Sequence, residues 1–219
     1  KDSFNAHNPA DDEDLLYWYK DTDAYIWELS AYHCHPGFNY VGMCKGVAER
    51  LKAARSRKVL CLGDGIGDLT LSLIQAGFDA VYHDLAGSLT AEYAQFRFWT
   101  HLGKYAPTCL TRGWKPELGR AEYDAVISFD FLEHVTDVPA WTLAIREAIV
   151  PGGLMLVQNA FNCGSGPLGS IPMHLSRNDR FEKDWTPLMQ EQGFLQEGES
   201  NWYRTPEVGA INRRSPAQH

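Results

Sequence analysis

The sequence predicts an α/β fold: a seven-stranded, mostly parallel sheet with helices on both faces, preceded by an N-terminal helical lid. Three observations predict it. From Lys58 onward, short apolar runs alternate with helical patterns, as βαβ units require. A glycine-rich turn, Gly63-Asp64-Gly65-Ile66-Gly67, joins a buried strand to a helix. The chain has 219 residues, 44% of them hydrophobic and 22% charged, which suits one domain of ordinary size.

The elements are taken in chain order. Residues 1–10 read as a flexible lead. Asp11, Asp12, Glu13 and Asp14 open an aromatic-rich helix through about Tyr32, because acidic groups favour the positive end of a helix dipole. His33-Cys34-His35-Pro36-Gly37 breaks it, and a second helix is expected over Val41 to Ala54. Strands follow at Val59–Leu62, Ala80–Asp84, Thr108–Leu110, Ala125–Phe129 and Leu154–Gln158. Helices are expected between them at Asp68–Ala76, Leu89–Leu102 and Val138–Ile149. The last carries Val138, Trp141, Ile145 and Ile149 on one face, the spacing of a core-facing helix. Thr186-Pro187 reads as the start of a short helix that Gly193 stops. Phe194–Glu199 and Trp202–Thr205 then read as a closing hairpin. The expected organisation is a lid over 1–57, a ligand-binding domain over 58–206 and a flexible tail over 207–219.

Composition excludes some classes of function. The formal net charge is -8, and the basic residues are scattered, so a phosphate backbone is an unfavourable partner. The five cysteines are odd in number and contain no C-x-x-C pair, which argues against a disulfide framework or a zinc ribbon. A reducing, cytoplasmic setting is expected. No apolar run reaches the ~20 residues of a membrane span, and no signal peptide is visible.

The glycine turn carries the first functional reading. Glycines tolerate left-handed backbone angles and let a ligand approach the main chain, and the helix that follows offers free N–H groups. The spacing is G-x-G-x-G. A dinucleotide site wants G-x-G-x-x-G, and position 68 is Asp. Asp64 and Asp68 would repel a pyrophosphate. A cofactor without phosphates, such as S-adenosylmethionine, fits better. Asp84 ends the next strand, where a carboxylate can accept both ribose hydroxyl protons. The third feature is Tyr123-Asp124-Ala125-Val126-Ile127-Ser128-Phe129-Asp130-Phe131-Leu132-Glu133-His134-Val135, a buried strand that ends in a polar cluster. Pro151-Gly152-Gly153 turns the chain into the fifth strand.

These elements, in this order, resemble the class I S-adenosylmethionine-dependent methyltransferases, which have a Rossmann-like sheet. Phe131-Leu132-Glu133-His134-Val135 with Pro151-Gly152-Gly153 is most similar to the branch of the ubiquinone and menaquinone biosynthesis methyltransferases. The resemblance spans about Lys58 to Gln158, with a weaker echo through Phe194. It implies that Gly63, Asp64, Gly65 and Gly67 line the methionine half of the cofactor. It implies that Asp84 holds the ribose, that Leu85 packs on the adenine, and that Asp130 and Phe131 lie near the methyl-transfer mouth. Two departures stand out. Cys61 occupies the strand end where the family has an acid, and Thr111-Arg112-Gly113-Trp114 lacks the acid that meets the adenine amino group. Trp114 could stack on the adenine instead.

Methyl transfer from a sulfonium needs alignment and a dry pocket more than a catalytic triad. His134 is either a base or a helix-start residue that holds its turn, and Glu133 reads as a first-turn acid. His174, in a loop after the fifth strand, is either a base and substrate contact or a surface histidine. Phe38 and Tyr40 belong to the aromatic crowd of the lid and are expected to wall a small-molecule acceptor. His33 and His35 can share one side of an extended segment, but two imidazoles make a poor metal site and no metal is expected. Two alternatives stay open: another sulfonium-dependent transfer (aminopropyl or carboxymethyl), and an inactive cofactor-binding partner subunit.

Overall fold

A computed structural model describes residues 12–161 and 174–207. The lead, most of the tail and residues 162–173 fall outside the described residues, so the expected flexible segments lie largely there. Three helices come first: α1 (Asp12–Asp21), α2 (Ala24–His33) and α3 (Tyr40–Ala53). The sheet and its crossovers follow as β1 (Lys58–Leu62), α4 (Asp68–Gln75), β2 (Asp79–Leu85), α5 (Leu89–Leu102), β3 (Thr108–Thr111) and β4 (Tyr123–Phe129). The chain closes with α6 (Val138–Ala148), β5 (Ile149–Gln158), α7 (Phe181–Glu191), β6 (Leu195–Gln196) and β7 (Trp202–Arg204).

The seven strands run in the order β3-β2-β1-β4-β5-β7-β6. The first five are parallel, and β7 is antiparallel to both β5 and β6. The expected seven-stranded sheet is therefore present. Alternation along each strand splits the core. Val59 and Cys61 face α3 and α4, together with Ala125, Ile127, Leu154 and Leu156. Leu60, Leu62, Val126, Met155 and Val157 face α6 and α7. α5 packs on Tyr82 through Ala91, Ala94 and Phe98, extending the first layer. The strand order reverses between β1 and β4, so the crevice at their carboxyl ends is the topological switch point.

The structure corrects three boundaries. The single N-terminal helix is two helices, because Thr22-Asp23 interrupts it. The Thr22 hydroxyl accepts from Ala24 N at 3.2 Å, a local bond that competes with the helical ladder. Thr186-Pro187 does not start α7; Pro187 lies inside it. The amphipathic set Phe181, Trp185, Leu188 and Met189 makes the helix begin earlier, and Pro187 sits on its exposed face where solvent meets the orphaned carbonyl. Gly193, at φ +80°, ends α7 as expected, with Phe194 N donating to Met189 O and Gly193 N to Gln190 O. β5 already begins at Ile149, and Pro151-Gly152-Gly153 forms an irregularity within it rather than a turn before it.

Candidate active site

The described residues enclose a cavity of about 620 Å³ at the switch point, within the usual range for a small-molecule site. Its floor is the end of β1 and the glycine turn. Gly63, Gly65 and Gly67 have φ of +66°, +54° and +80°, the left-handed region that glycine occupies without strain. A Cβ on Gly63 would lie 2.3 Å from Phe131 Cδ2, and one on Gly65 would lie 2.4 Å from Leu29 Cδ1. Gly63, Asp64 and Gly65 line the cavity. Gly67 and Cys61 are not among its lining residues. Gly67 is bare because Phe98 of α5 packs there, 2.5 Å from where a Cβ would be. Cys61 is fully buried on the α3–α4 side of the sheet. Asp68 also serves packing: it bonds His33 Nδ1 at 2.7 Å and Arg97, tying the end of α2 to the core. Burial works against its charge, but these two partners win and hold its carboxyl below the ordinary range.

Asp64 accepts backbone N–H bonds from Leu69 (3.2 Å) and Thr70 (2.7 Å) at the start of α4. Burial nevertheless pushes its carboxyl up to about 7. Asp84 is held by Gly65 N at 2.9 Å and Leu85 N at 2.7 Å, and burial raises it to about 6. The carboxylate that ends β2 thus orients the glycine turn while facing the cavity. Beside it, His83 is buried and its pKa falls to about 3, so the ring is neutral. Gly63 N donates to Nδ1 at 3.4 Å, which leaves Nε2–H to donate to Thr111 Oγ1 at 2.6 Å. His83 and Thr111 line the cavity too. Sequence reading missed both as contacts, although their place at the ends of β2 and β3 could have flagged them. Leu85 and Trp114 also line it. Trp114 Nε1 donates to Asp12 O at 2.7 Å, so this indole fastens α1 to the sheet.

At the other end stand Asp130, Phe131, His134 and His174. Asp130 has φ +47°, strained for a non-glycine residue, and its N–H reaches Gln158 O at 2.8 Å. Phe131 packs edge-on against Trp141 at 5.0 Å and His83 at 5.8 Å. Leu132–His134 form a single 3-10 turn rather than a helix start. Glu133, read as a first-turn acid, is buried in the structure, and burial raises its carboxyl to about 7. Its Oε1 accepts from Ala160 N at 2.8 Å. Rings from the N-terminal residues line the cavity. Tyr19 and Tyr25 stack at 5.7 Å, Tyr32 and Phe38 at 4.4 Å, and His33 and Tyr40 at 3.6 Å. All six line the cavity, Phe38 and Tyr40 among them. Tyr19 OH hydrogen-bonds His134 Nδ1 at 2.9 Å. His33 turns to Asp68, while His35 Nδ1 accepts from Gly37 N at 3.1 Å, so the two imidazoles meet different partners.

Three carboxyls, one buried and two half-buried, set the sign of a stability prediction. Asp64, Asp84 and Glu133 have folded-state values near 7, 6 and 7, above the roughly 4 of an unfolded chain. Between those limits the folded protein holds protons that the unfolded chain has lost, so stability falls as pH rises through about 6 to 7. His83 opposes this with one proton, since it stays neutral to about 3 when folded. Three groups outweigh one. The ligand-free protein is expected to melt several degrees higher at about pH 5.5 than at about pH 8. A Tm that is flat or rises across that range in a calorimetric scan contradicts the buried-carboxyl arrangement.

The residues fit an adenosyl group without phosphates. The site presents an oriented carboxylate at the β2 end, apolar Leu85 beside it, bare glycine backbone at the β1 end and, among the described residues, no cluster of cations. Fold and site together define an α/β protein that holds a nucleoside-like ligand at its switch point. Residues 38–212 match the methyltransferase-domain family, and the chain belongs to that family. No curated protein matches it. Among solved structures it is similar to an O-methyltransferase family protein from Burkholderia thailandensis (16% identity, TM-score 0.54, 77% of this chain and 56% of that one). It is also similar to the S-adenosylmethionine-dependent methyltransferase SibL (18%, 0.53, 75% and 55%). A third similar structure is the cyclase SpnF (15%, 0.52, 69% and 57%). At these identities the likeness is one of fold, and the chain spans little more than half the length of these three. Among the described residues, no helix is long and apolar enough to cross a membrane.

Proposed function

We propose that the chain transfers a methyl group from S-adenosylmethionine to a small-molecule acceptor. The observation that carries this reading is Asp84, a half-buried carboxylate bound by Gly65 N and turned to a cavity floored by bare glycine backbone. Bound there, the sulfonium supplies an activated methyl group. The protein supplies position: the glycine turn and Asp64 at the methionine end, Asp84 and Leu85 at the nucleoside end. The stacked lid rings exclude water and favour a flat or apolar acceptor. His134, bridged to Tyr19, and His174 line the acceptor end of the cavity and, with no cation bound, are the candidate bases for an acceptor proton. Net charge -8 supports a small acceptor over a nucleic acid. The motif from Phe131 to Val135 supports a place near the quinone-biosynthesis branch, and the free cysteines among the described residues support a reducing, cytoplasmic setting.

Calorimetry with S-adenosylhomocysteine is expected to give one site at micromolar concentration. Incubation with methyl-labelled S-adenosylmethionine and a panel of aromatic hydroxyl and amine acceptors is expected to move the label. No binding at millimolar concentration sinks the reading. The second reading is a different reaction on the same fold, favoured by the likeness to a cyclase. Product mass separates the two, since methyl transfer adds one methyl group.

A further inference from the structure

We propose that Glu133, His134 and His174 form a divalent-cation site at the β4–β5 end of the cavity. One ligand atom from each lies within 4.8 Å of the others. Around a single ion with bonds of about 2.1 Å, such atoms sit about 3 to 3.5 Å apart, so modest side-chain rotation closes the set.

The main chain of Ala160 prepares two of the three ligands. Its N–H donates to Glu133 Oε1 at 2.8 Å, and its carbonyl lies 3.0 Å from His174 Nδ1. A carbonyl can only accept, so Nδ1 carries the proton and the His174 Nε2 lone pair is left to bind. Glu133 is 1% exposed, and its Oε2 is buried without a hydrogen-bond partner. A buried carboxylate oxygen with no donor is costly unless something cationic meets it. His134 is oriented through Nδ1 by Tyr19 at 2.9 Å. Buried Asn178 braces the arrangement, donating to Glu133 O at 3.1 Å and Val135 O at 2.8 Å. That bond pins the segment carrying His174 against the turn carrying Glu133 and His134.

Two imidazoles and one carboxylate suit Zn²⁺, Mn²⁺, Fe²⁺ or Co²⁺ better than the all-oxygen preference of Ca²⁺ or Mg²⁺. Open positions on the ion would face the cavity, where it could bind an oxygen of the acceptor. Such binding lowers a hydroxyl's pKa and lets it give its proton to solvent near neutrality. The acceptor class is therefore a hydroxyl or enol flanked by a second oxygen that can chelate. This last step rests on the methyl-transfer reading; the cation site does not.

The test uses the untagged full chain after dialysis against chelator. Titration with Co²⁺, followed by calorimetry and by visible absorption, is expected to show one site with micromolar affinity and a d–d spectrum from nitrogen ligands. His174→Ala and Glu133→Gln are each expected to weaken Co²⁺ binding at least tenfold, while His35→Ala leaves it unchanged. Thermal scans without metal establish that each variant folds. His174 stands in a partly exposed segment, so its variant keeps the test open if Glu133→Gln does not fold. Absence of saturable Co²⁺ binding, or binding unaffected by His174→Ala, overturns the proposal. If S-adenosylhomocysteine still binds in that case, the cation alone is removed and the methyl-transfer reading stands.

Discussion

Asp84→Ala is expected to weaken S-adenosylhomocysteine binding about a thousandfold. A hydrogen bond to a charged acceptor contributes about 1.5 to 3 kcal/mol. Two ribose hydroxyls on this carboxylate therefore contribute about 3 to 6 kcal/mol, and each 1.4 kcal/mol is about tenfold. The same oxygens also hold Gly65 N and Leu85 N, so the variant loosens the glycine turn as well. Asp84→Asn separates these effects. Its amide keeps one acceptor oxygen but sets an NH₂ group against one of the backbone donors, so its loss should be smaller. The pH profile adds a second readout. Burial holds Asp84 at about 6, and only its ionised form accepts both ribose protons. Below that value the wild type should lose affinity about tenfold per unit, and Asp84→Asn should lose this share of the dependence. Calorimetry between about pH 5 and 8 decides it. An alanine variant within threefold of wild type removes Asp84 from the cofactor site.

What the sequence made legible was local. The strand, turn and helix around Gly63–Gly67, the acid ending β2 and the polar cluster after β4 are each continuous stretches of 18 residues or fewer. Their periodicity and turn chemistry are written consecutively. Their convergence follows from the rule that parallel strands place ligands at their carboxyl ends. Strand alternation even held an unread clue. Cys61 shares its face with Val59, and that face packs on α3 and α4, so an apolar side chain suits the position without reference to a ligand. Gly67 was legible as a turn glycine, but not its reason, because Phe98 lies 31 residues further along.

The rest depended on contacts that no local pattern encodes. Tyr19 meets His134 across 115 residues, and His33 meets Asp68 across 35. The sequence sets His33 near His35, where a metal was weighed, whereas the proposed ligands Glu133, His134 and His174 lie 100 to 141 residues after His33. Glu133 looked like an acid of a first helical turn. One 3-10 turn instead of a helix rotates it inward, and Ala160 receives it. Pro187 misled for a related reason. Proline favours a first turn on average, but burial of Phe181, Leu188 and Met189 outweighs one missing hydrogen bond on an exposed face.

Gly63→Ala is expected to abolish cofactor binding while leaving the sheet folded. Two costs add at this position. A residue with a Cβ held at φ +66° costs about 1 to 2 kcal/mol. The new methyl would also sit 2.3, 2.6 and 2.8 Å from Cδ2, Cγ and Cβ of Phe131, so rotating the ring alone cannot clear it. Phe131 cannot retreat easily, because Trp141 and His83 flank it edge-on. The relief left is into the cavity, where the displaced ring meets the cofactor's place. Gly63→Ala with Phe131→Ala tests this division. It removes the clash but keeps the backbone strain, so binding should return in part and remain at least tenfold below that of Phe131→Ala alone. Gly46→Ala on the outer face of α3 is the control. Nothing lies within 4 Å of its Cβ position, and alanine in a helix is favoured over glycine by about 0.5 to 1 kcal/mol. It should bind like the wild type and melt slightly higher. If Gly63→Ala binds S-adenosylhomocysteine as tightly as Gly46→Ala does, bare backbone at the end of β1 is a requirement of the turn alone, and the ligand does not lie against it.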